Sequence, residues 1–203
     1  QLNFLKNHVK PREQITTLTF QASRDCNKFI VKDGIYFPNS EIIPLVKQIE
    51  NTKRSITQIQ DIVGTNRNIG IENNNFYPTG AYQISTSLDY LLAVLEFNNL
   101  ELLFDIAHAL VTCANSNLDY QYYSKKLVAT GKCQQFHLCQ PSYKYDLNGL
   151  TAKDSHEIPS YELTEAAICL AKKWKVNNIT IEYYKNAEIL VSYLKYLKSN
   201  FEF

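Results

Sequence analysis

Ser87–Ala114 reads SLDYLLAVLEFNNLELLFDIAHALVTCA, and its spacing decides how the rest of the chain is read. Leu88, Leu91, Leu92 and Leu95 recur at helical spacing, and Leu100, Leu103, Phe104, Ala107, Leu110 and Val111 form a second such face. The stretch is expected to fold as two apolar helices joined at Asn98-Asn99. Leu170–Leu194 (LAKKWKVNNITIEYYKNAEILVSYL) repeats the outline, with Asn177-Asn178 in the corresponding place. Such a pattern predicts a helical packing layer and carries no reactive constellation of its own.

Working outward, Thr16–Gln21 (TTLTFQ) reads as a strand, and Lys28–Phe37 (KFIVKDGIYF) as a second with a turn at Asp33-Gly34. Ser40 offers a cap for a helix bearing Ile42, Ile43, Val46 and Ile49, with Pro44 in its first turn. Ser55 offers a cap for another, bearing Ile56, Ile59, Ile62 and Val63 and ending at Gly64. Thr65–Tyr82 is rich in Asn and Gly and reads as a long loop. Leu118–Ala129 is expected as a helix with Tyr120, Tyr123 and Leu127 inward. Gly131–Pro159 is expected as a connector, Tyr161–Lys173 and Ala187–Leu197 as helices, and Ile179–Tyr184 as strand or helix. The fold class is therefore α+β: a small N-terminal β-sheet followed by a mostly helical second half. The expected division is a module over 1–130, a connector over 131–159 and a helical extension over 160–203.

With 45% hydrophobic residues in 203, the chain can build a core, and its net charge of +1 provides no global attraction to nucleic acid or an anionic membrane. The apolar runs are too short and too interrupted to span a bilayer. Gln1–Gln14 lacks the apolar centre of a signal peptide, although the chain does not begin with Met. Five cysteines, two of them (Cys113, Cys169) in apolar helical patterns, favour reduced thiols and a cytoplasmic or nuclear setting.

Three groups of residues could carry chemistry. Cys133-x3-His137-x-Cys139 could form part of a zinc site, with Cys113, His108 or His156 as a fourth ligand; the plainer reading is a loop with free thiols, and no cofactor is the leading expectation. Residues 165–186 imitate a helix-turn-helix through Ala171, Val176 and Ile181, with Lys172, Lys173, Lys175 and Lys185 placed to touch phosphate. Lys175 in the turn and the β character of Ile179–Tyr184 oppose that reading. Asp105 and His108 lie three apart on one expected helix face, and Ser155-His156-Glu157 is a polar loop; both read more plainly as surface hydrogen bonding than as acid–base or metal chemistry.

The order strand, strand, helix, helix, loop, leucine-rich helix pair resembles the BTB/POZ fold, in the variant of elongin C and the cullin adaptors that hold F-box proteins. The resemblance rests on Leu18–Ser23, Phe29–Val31, Ile35, Ser40–Ile43, Asn51–Val63 and Leu88–Val111, and covers residues 16–129. It implies a non-enzymatic interaction module that dimerises or bridges a protein partner to a larger assembly. Fourteen tyrosines suit such contacts. The expected partner surface comprises Leu88, Leu92, Phe97, Tyr120, Tyr123 and Tyr184. Two alternatives stand beside it: nucleic-acid binding through 165–186, and a zinc-dependent enzyme around 133–139.

Overall fold

The computed structural model describes residues 2–22, 24–96, 100–146 and 149–201. In chain order the elements are α1 (Leu2–Phe4), continued by a π-helical turn over Leu5–Val9, then β1 (Thr17–Gln21), β2 (Phe29–Lys32), β3 (Ile35–Pro38), α2 (Leu45–Val63), β4 (Asn68–Glu72), α3 (Leu88–Glu96), β5 (Glu101–Asp105), α4 (Ile106–Ser116), α5 (Tyr120–Val128), β6 (Cys133–Leu138), β7 (Gln140–Asp146), β8 (Gly149–Glu157), α6 (Tyr161–Trp174), β9 (Asn178–Ile181) and α7 (Ala187–Asn200).

Five strands form one sheet in the order β1-β4-β5-β6-β9, and every neighbouring pair is parallel. Parallel crossovers are right-handed. An order that never reverses therefore carries each crossover in the same sense, the winding of a β/α barrel rather than of a doubly wound sheet. It also brings the carboxyl ends of all five strands to one edge. β2 and β3 form a separate hairpin after β1, and β7 and β8 another after β6.

The core lies between sheet and helices. Leu102, Leu103, Phe104 and Asp105 of β5 are all buried, as a central strand covered on both faces must be. Phe104 and Phe136 meet edge to face with ring centres 5.8 Å apart. Gly70 sits where β1 and β5 close on β4: an added Cβ would lie 3.2 Å from the Glu101 carbonyl oxygen, so even alanine is crowded there.

This architecture replaces the expected α+β arrangement of a small N-terminal sheet and a helical second half. The expected helix pair is a helix, a strand and a helix: α3, β5 and α4. The run Leu100–Phe104 is short and apolar throughout, and such a run fits a buried strand as well as a helix. The Asn98-Asn99 joint lies outside the described residues. The second copy of the outline is likewise α6, β9 and α7, so the expected helix-turn-helix is not formed: α6 ends at Lys175 in a left-handed conformation (φ 56°) and the chain enters the sheet. The expected loop Thr65–Tyr82 contains β4, and the stretch expected as a connector carries β6, β7 and β8. Ser55 lies within a single α2, its hydroxyl donating to the Asn51 carbonyl at 2.9 Å. β1, the Asp33-Gly34 turn (φ 50° and 80°, as a type I′ hairpin requires) and the Gly64 terminus fall where the sequence predicts.

The amino ends of the strands are fastened by Arg67. Its buried guanidinium donates to the carbonyls of Ile15 (2.8 Å), Lys10 (3.1 Å), Arg12 (3.1 Å), Val9 (3.4 Å) and Val63. It joins the N-terminal segment, the lead-in to β1 and the carboxyl end of α2, where a cation also suits the helix dipole. Substituting Arg67→Ala would strand several buried carbonyls and should lower stability by about 3 kcal/mol or more. Arg67→Lys should restore only a fraction, since one ammonium cannot reach the same set. Urea unfolding of the three proteins measures this; an unchanged midpoint for Arg67→Ala would refute the clamp.

Candidate metal centre

Four of the five sheet strands carry an ionisable residue at or beside their carboxyl ends, after apolar ones; β1 ends instead at Gln21. Ile69-Gly-Ile ends at Glu72, Leu102-Leu-Phe at Asp105, Phe136 at His137, and Ile179-Thr-Ile at Glu182. Because the strands are parallel and in sequence order, these ends meet at one place. Asp154 and His156, two apart on β8, and His108, in the first turn of α4, complete the group.

The distances are those of donor atoms gathered around a common centre. His137 Nδ1 lies 3.4 Å from a Glu182 carboxylate oxygen, 3.7 Å from one of Glu72 and 3.9 Å from Asp105 Oδ2. His108 Nδ1 lies 3.5 Å from Glu72 and 3.7 Å from Asp105 Oδ2, while its Nε2 lies 3.3 Å from Asp154. His156 lies 3.4 Å from Asp154 through Nδ1 and 3.6 Å from Glu182 through Nε2. Two triads have donor atoms all within 4.8 Å of one another and could hold a metal ion: Glu72, Asp105 and His137; and Cys139, His156 and Glu182. Glu182 faces both triads, through its contacts with His137 and His156.

Two buried atoms here, Asp105 Oδ2 and His137 Nδ1, have no hydrogen-bond partner. Buried polar atoms are nearly always satisfied. These two belong to one triad, so a cation between them would resolve both. The surrounding shell is fully engaged. Asp105 Oδ1 accepts from the His108 main-chain N–H at 2.8 Å and caps α4. Asn73 exchanges two hydrogen bonds with the Asp105 backbone, at 2.9 and 2.8 Å. His108 Nδ1 also approaches the Asn73 carbonyl (2.8 Å) and the Gln21 amide nitrogen (3.3 Å).

The electrostatics carry the mark of crowded carboxylates. Burial is the main force lifting Glu72 to about 7 and Asp105 to about 6. Burial alone would depress His108, but Asp105, Asp154 and Glu72 outweigh it and raise the imidazole to about 10. His137 is likewise raised, because Glu182, Glu72 and Asp105 outweigh its burial. Glu182 is lowered chiefly by the His137 imidazole 3.4 Å away, and Asp154 is lowered because His108 outweighs burial. Four carboxylates with neutral imidazoles leave a charge that two divalent cations would neutralise.

Of the residues expected at a zinc site, His137 and Cys139 reach this centre. Cys133 stands at the other end of β6, four residues or roughly 13 Å from His137 along the strand. His108 and His156, considered as fourth ligands, are both present; Cys113 does not take part in either triad. The donor set is mainly carboxylate and imidazole, unlike the cysteine-rich set of structural zinc. Glu72, Asp154 and Glu182 join the centre although no motif in the sequence marks them. For Glu72 and Glu182 the signal is a short, largely apolar run ending in an acid; Asp154, after Thr151-Ala-Lys153, carries none.

The remaining expected site residues lie elsewhere. Leu88 and Leu92 are half-buried against the core, and Tyr120 is half-buried in α5. Tyr123 is fully buried with its hydroxyl on the Thr86 carbonyl; Tyr184 is exposed beside His156; Phe97 lies outside the described residues. Lys172, Lys173 and Lys175 are exposed at the end of α6, and Lys185 pairs with Glu157. Among the described residues, no helix is long and apolar enough to cross a membrane.

A sequence-ordered parallel β/α sheet with a carboxylate–histidine cluster at its carboxyl edge defines the class of enzymes built on loops at strand ends. The sequence profile of the RiPP precursor modification enzyme family MbnB/TglH/ChrH matches residues 29–186, more than half of the chain, and the protein belongs to that family. The BTB/POZ resemblance is thereby overturned, and with it the non-enzymatic adaptor: the chain is a member of an enzyme family. One similar solved structure, a crystal structure of a D-tagatose 3-epimerase-like protein, is 20% identical with a TM-score of 0.47, over 76% of this chain and 56% of that one. The chain thus spans about half of that protein's length. No curated protein matches it.

Without metal, pH should act on stability in a defined direction. Glu72, Asp105, His108 and His137 all bind protons more tightly in the fold than in the unfolded chain. Such groups contribute stability below their unfolded pKa and lose it as pH rises through the folded value. Asp154 and Glu182 act oppositely, but their loss falls in the more acidic range. In chelator, the melting temperature should therefore fall from about pH 5 to about pH 9. A flat or rising profile would contradict this assignment of protons.

Proposed function

We propose that this protein is a metal-dependent enzyme that modifies a precursor peptide, with the cluster at the carboxyl edge of the sheet as its reaction centre. The observation that carries the reading is the orphaned pair Asp105 Oδ2 and His137 Nδ1, buried within a set of carboxylate and imidazole donors. Family membership supplies the substrate class: a precursor peptide of the kind on which the MbnB/TglH/ChrH enzymes act. The fit of the donors favours a first-row divalent transition ion at each triad, with Glu182 between them.

An ion bound there supplies Lewis-acid polarisation of a substrate group. The chain's own residues do the rest. Asn73 and the α4 cap fix the Asp105 carboxylate so that one oxygen faces the centre. Gln21 and the Asn73 carbonyl orient His108. Asp154, 3.4 Å from His156 Nδ1, orients that imidazole so that its Nε2 faces Glu182 and the second triad. A cavity of about 310 Å³, lined by Gln21, Tyr36, Tyr77, Tyr82 and Asp154 among others, adjoins His108 through Gln21 and Asp154 and gives a substrate side chain a way in.

Elemental analysis of the purified protein should find close to two divalent ions per chain. Glu182→Gln and His137→Ala should each lower that content and abolish a mass change in a co-expressed precursor peptide. Protein that modifies the peptide after complete metal removal, or wild-type protein that takes up no transition metal, would refute the reading.

A further inference from the structure

The β2–β3 hairpin leaves the sheet after β1 and stands at the mouth of the cavity beside the metal centre. Its turn and second strand, Asp33 to Tyr36, form one wall of that cavity. The two outer edges of this hairpin differ. On β3, the Tyr36 N–H donates to the Tyr82 hydroxyl at 2.8 Å, and the Tyr36 carbonyl accepts from the Thr79 hydroxyl at 2.6 Å. That edge is sealed. It also sets the phase of the hairpin: since the main chain of Tyr36 points away from β2, its opposite number Val31 points its own N–H and C=O away from β3. Phe29, two residues earlier and opposite Pro38, does the same; Pro38 has no N–H to offer at that pair.

β2 therefore presents two outward N–H groups and two outward carbonyls, and among the described residues no strand pairs with that edge. All four of its side chains are exposed, Phe29, Ile30 and Val31 by 36, 48 and 51%. Native proteins blunt such edges with proline, with bulges or by covering them. This one is regular and apolar, with no strand on it among the described residues; the Arg24 guanidinium lies over the Phe29 ring at 3.9 Å, and exposed Lys28 and Lys32 flank it. The type I′ turn and the packing of Phe29 edge to face on Tyr36, with ring centres 5.0 Å apart, hold it in extended form.

We infer that the substrate peptide docks by strand addition to β2, as a third strand of the hairpin, with its acidic residues toward Lys28 and Lys32 and its reacting residue passing the Asp33-Gly34 turn into the cavity. The inference rests on the reading of the protein as an enzyme acting on a precursor peptide, which fixes the occupant as an extended peptide rather than a second copy of this chain. Strand addition recognises the main chain through the ladder and selects alternate side chains, which fits a substrate held at one stretch and modified at another.

The test uses the full chain, immobilised with its metal, and a phage-displayed library of random 12-residue linear peptides as probe. Peptides with alternating apolar residues and flanking acids should be enriched. Val31→Pro removes one outward N–H at an edge position that tolerates proline, and should weaken the selected peptides about tenfold. A synthetic copy with single N-methyl groups then decides the mode on wild-type protein, independently of how any variant folds. Methylation at alternate amides should abolish binding, and methylation at the intervening ones should leave it intact. Failure to enrich any peptide, or binding without this two-residue alternation, would overturn the proposal. Loss of metal or of precursor modification with the alternation preserved would instead count against the enzyme reading and leave the strand site standing.

Discussion

Negative charge held out of water dominates this structure. Glu72, Asp105, Asp154 and Glu182 converge at one end of the sheet, with three imidazoles among them and no lysine or arginine in the group. Gathering carboxylates in a poorly hydrated place is costly unless something compensates. Protons can do so, which is why Glu72, Asp105, His108 and His137 all hold theirs above the usual range. Cations can do so as well, and the two orphaned atoms show where one would sit.

The sheet makes that convergence unavoidable. Strands in sequence order, all parallel, end at a common level, so whatever residue closes each apolar run is delivered to the same spot. Arg67 secures the opposite ends through carbonyl oxygens alone, so the sheet carries its buried cation at one end and its anions at the other. The hairpins emerge where they can serve the carboxyl edge: β8 contributes Asp154 and His156 directly, and β2–β3 walls the approach.

Much of the local structure was legible in the sequence, and the architecture was not. Asp33-Gly34 announces its hairpin because few other dipeptides tolerate two positive φ values, and Gly64 announces the end of α2 for a related reason. Leu100–Phe104 looks helical in the sequence because buried parallel strands lose the alternation that identifies exposed ones, leaving an apolar run that either element can claim. β4 is hidden in the Asn- and Gly-rich stretch around it: its Gly70 looks like a loop residue, yet stands where the neighbouring strands crowd any added Cβ. A site assembled from strand ends is invisible in a sequence that hides the strands. His137, Cys139, His108 and His156 stood out as metal-ligating residue types, but Glu72, Asp105 and Glu182 become a set only when parallel strands place their ends together. The leucine-rich outline shared by 87–114 and 170–194 was a true similarity wrongly interpreted, since both are a helix, a strand and a helix.

Asp105 has two duties that chemistry usually assigns to separate residues. One oxygen closes the first turn of α4, and the other faces the centre. The carboxylate is short and fully buried, so it has no freedom to perform one duty without the other. An ion held at one oxygen would therefore also steady the plane in which its twin receives the helix N–H. The same economy narrows the routes open to evolution at this position. Glutamate would add reach for the ion and spoil the cap, and asparagine would keep the cap and surrender the charge, so the aspartate is held in place by folding and by chemistry together.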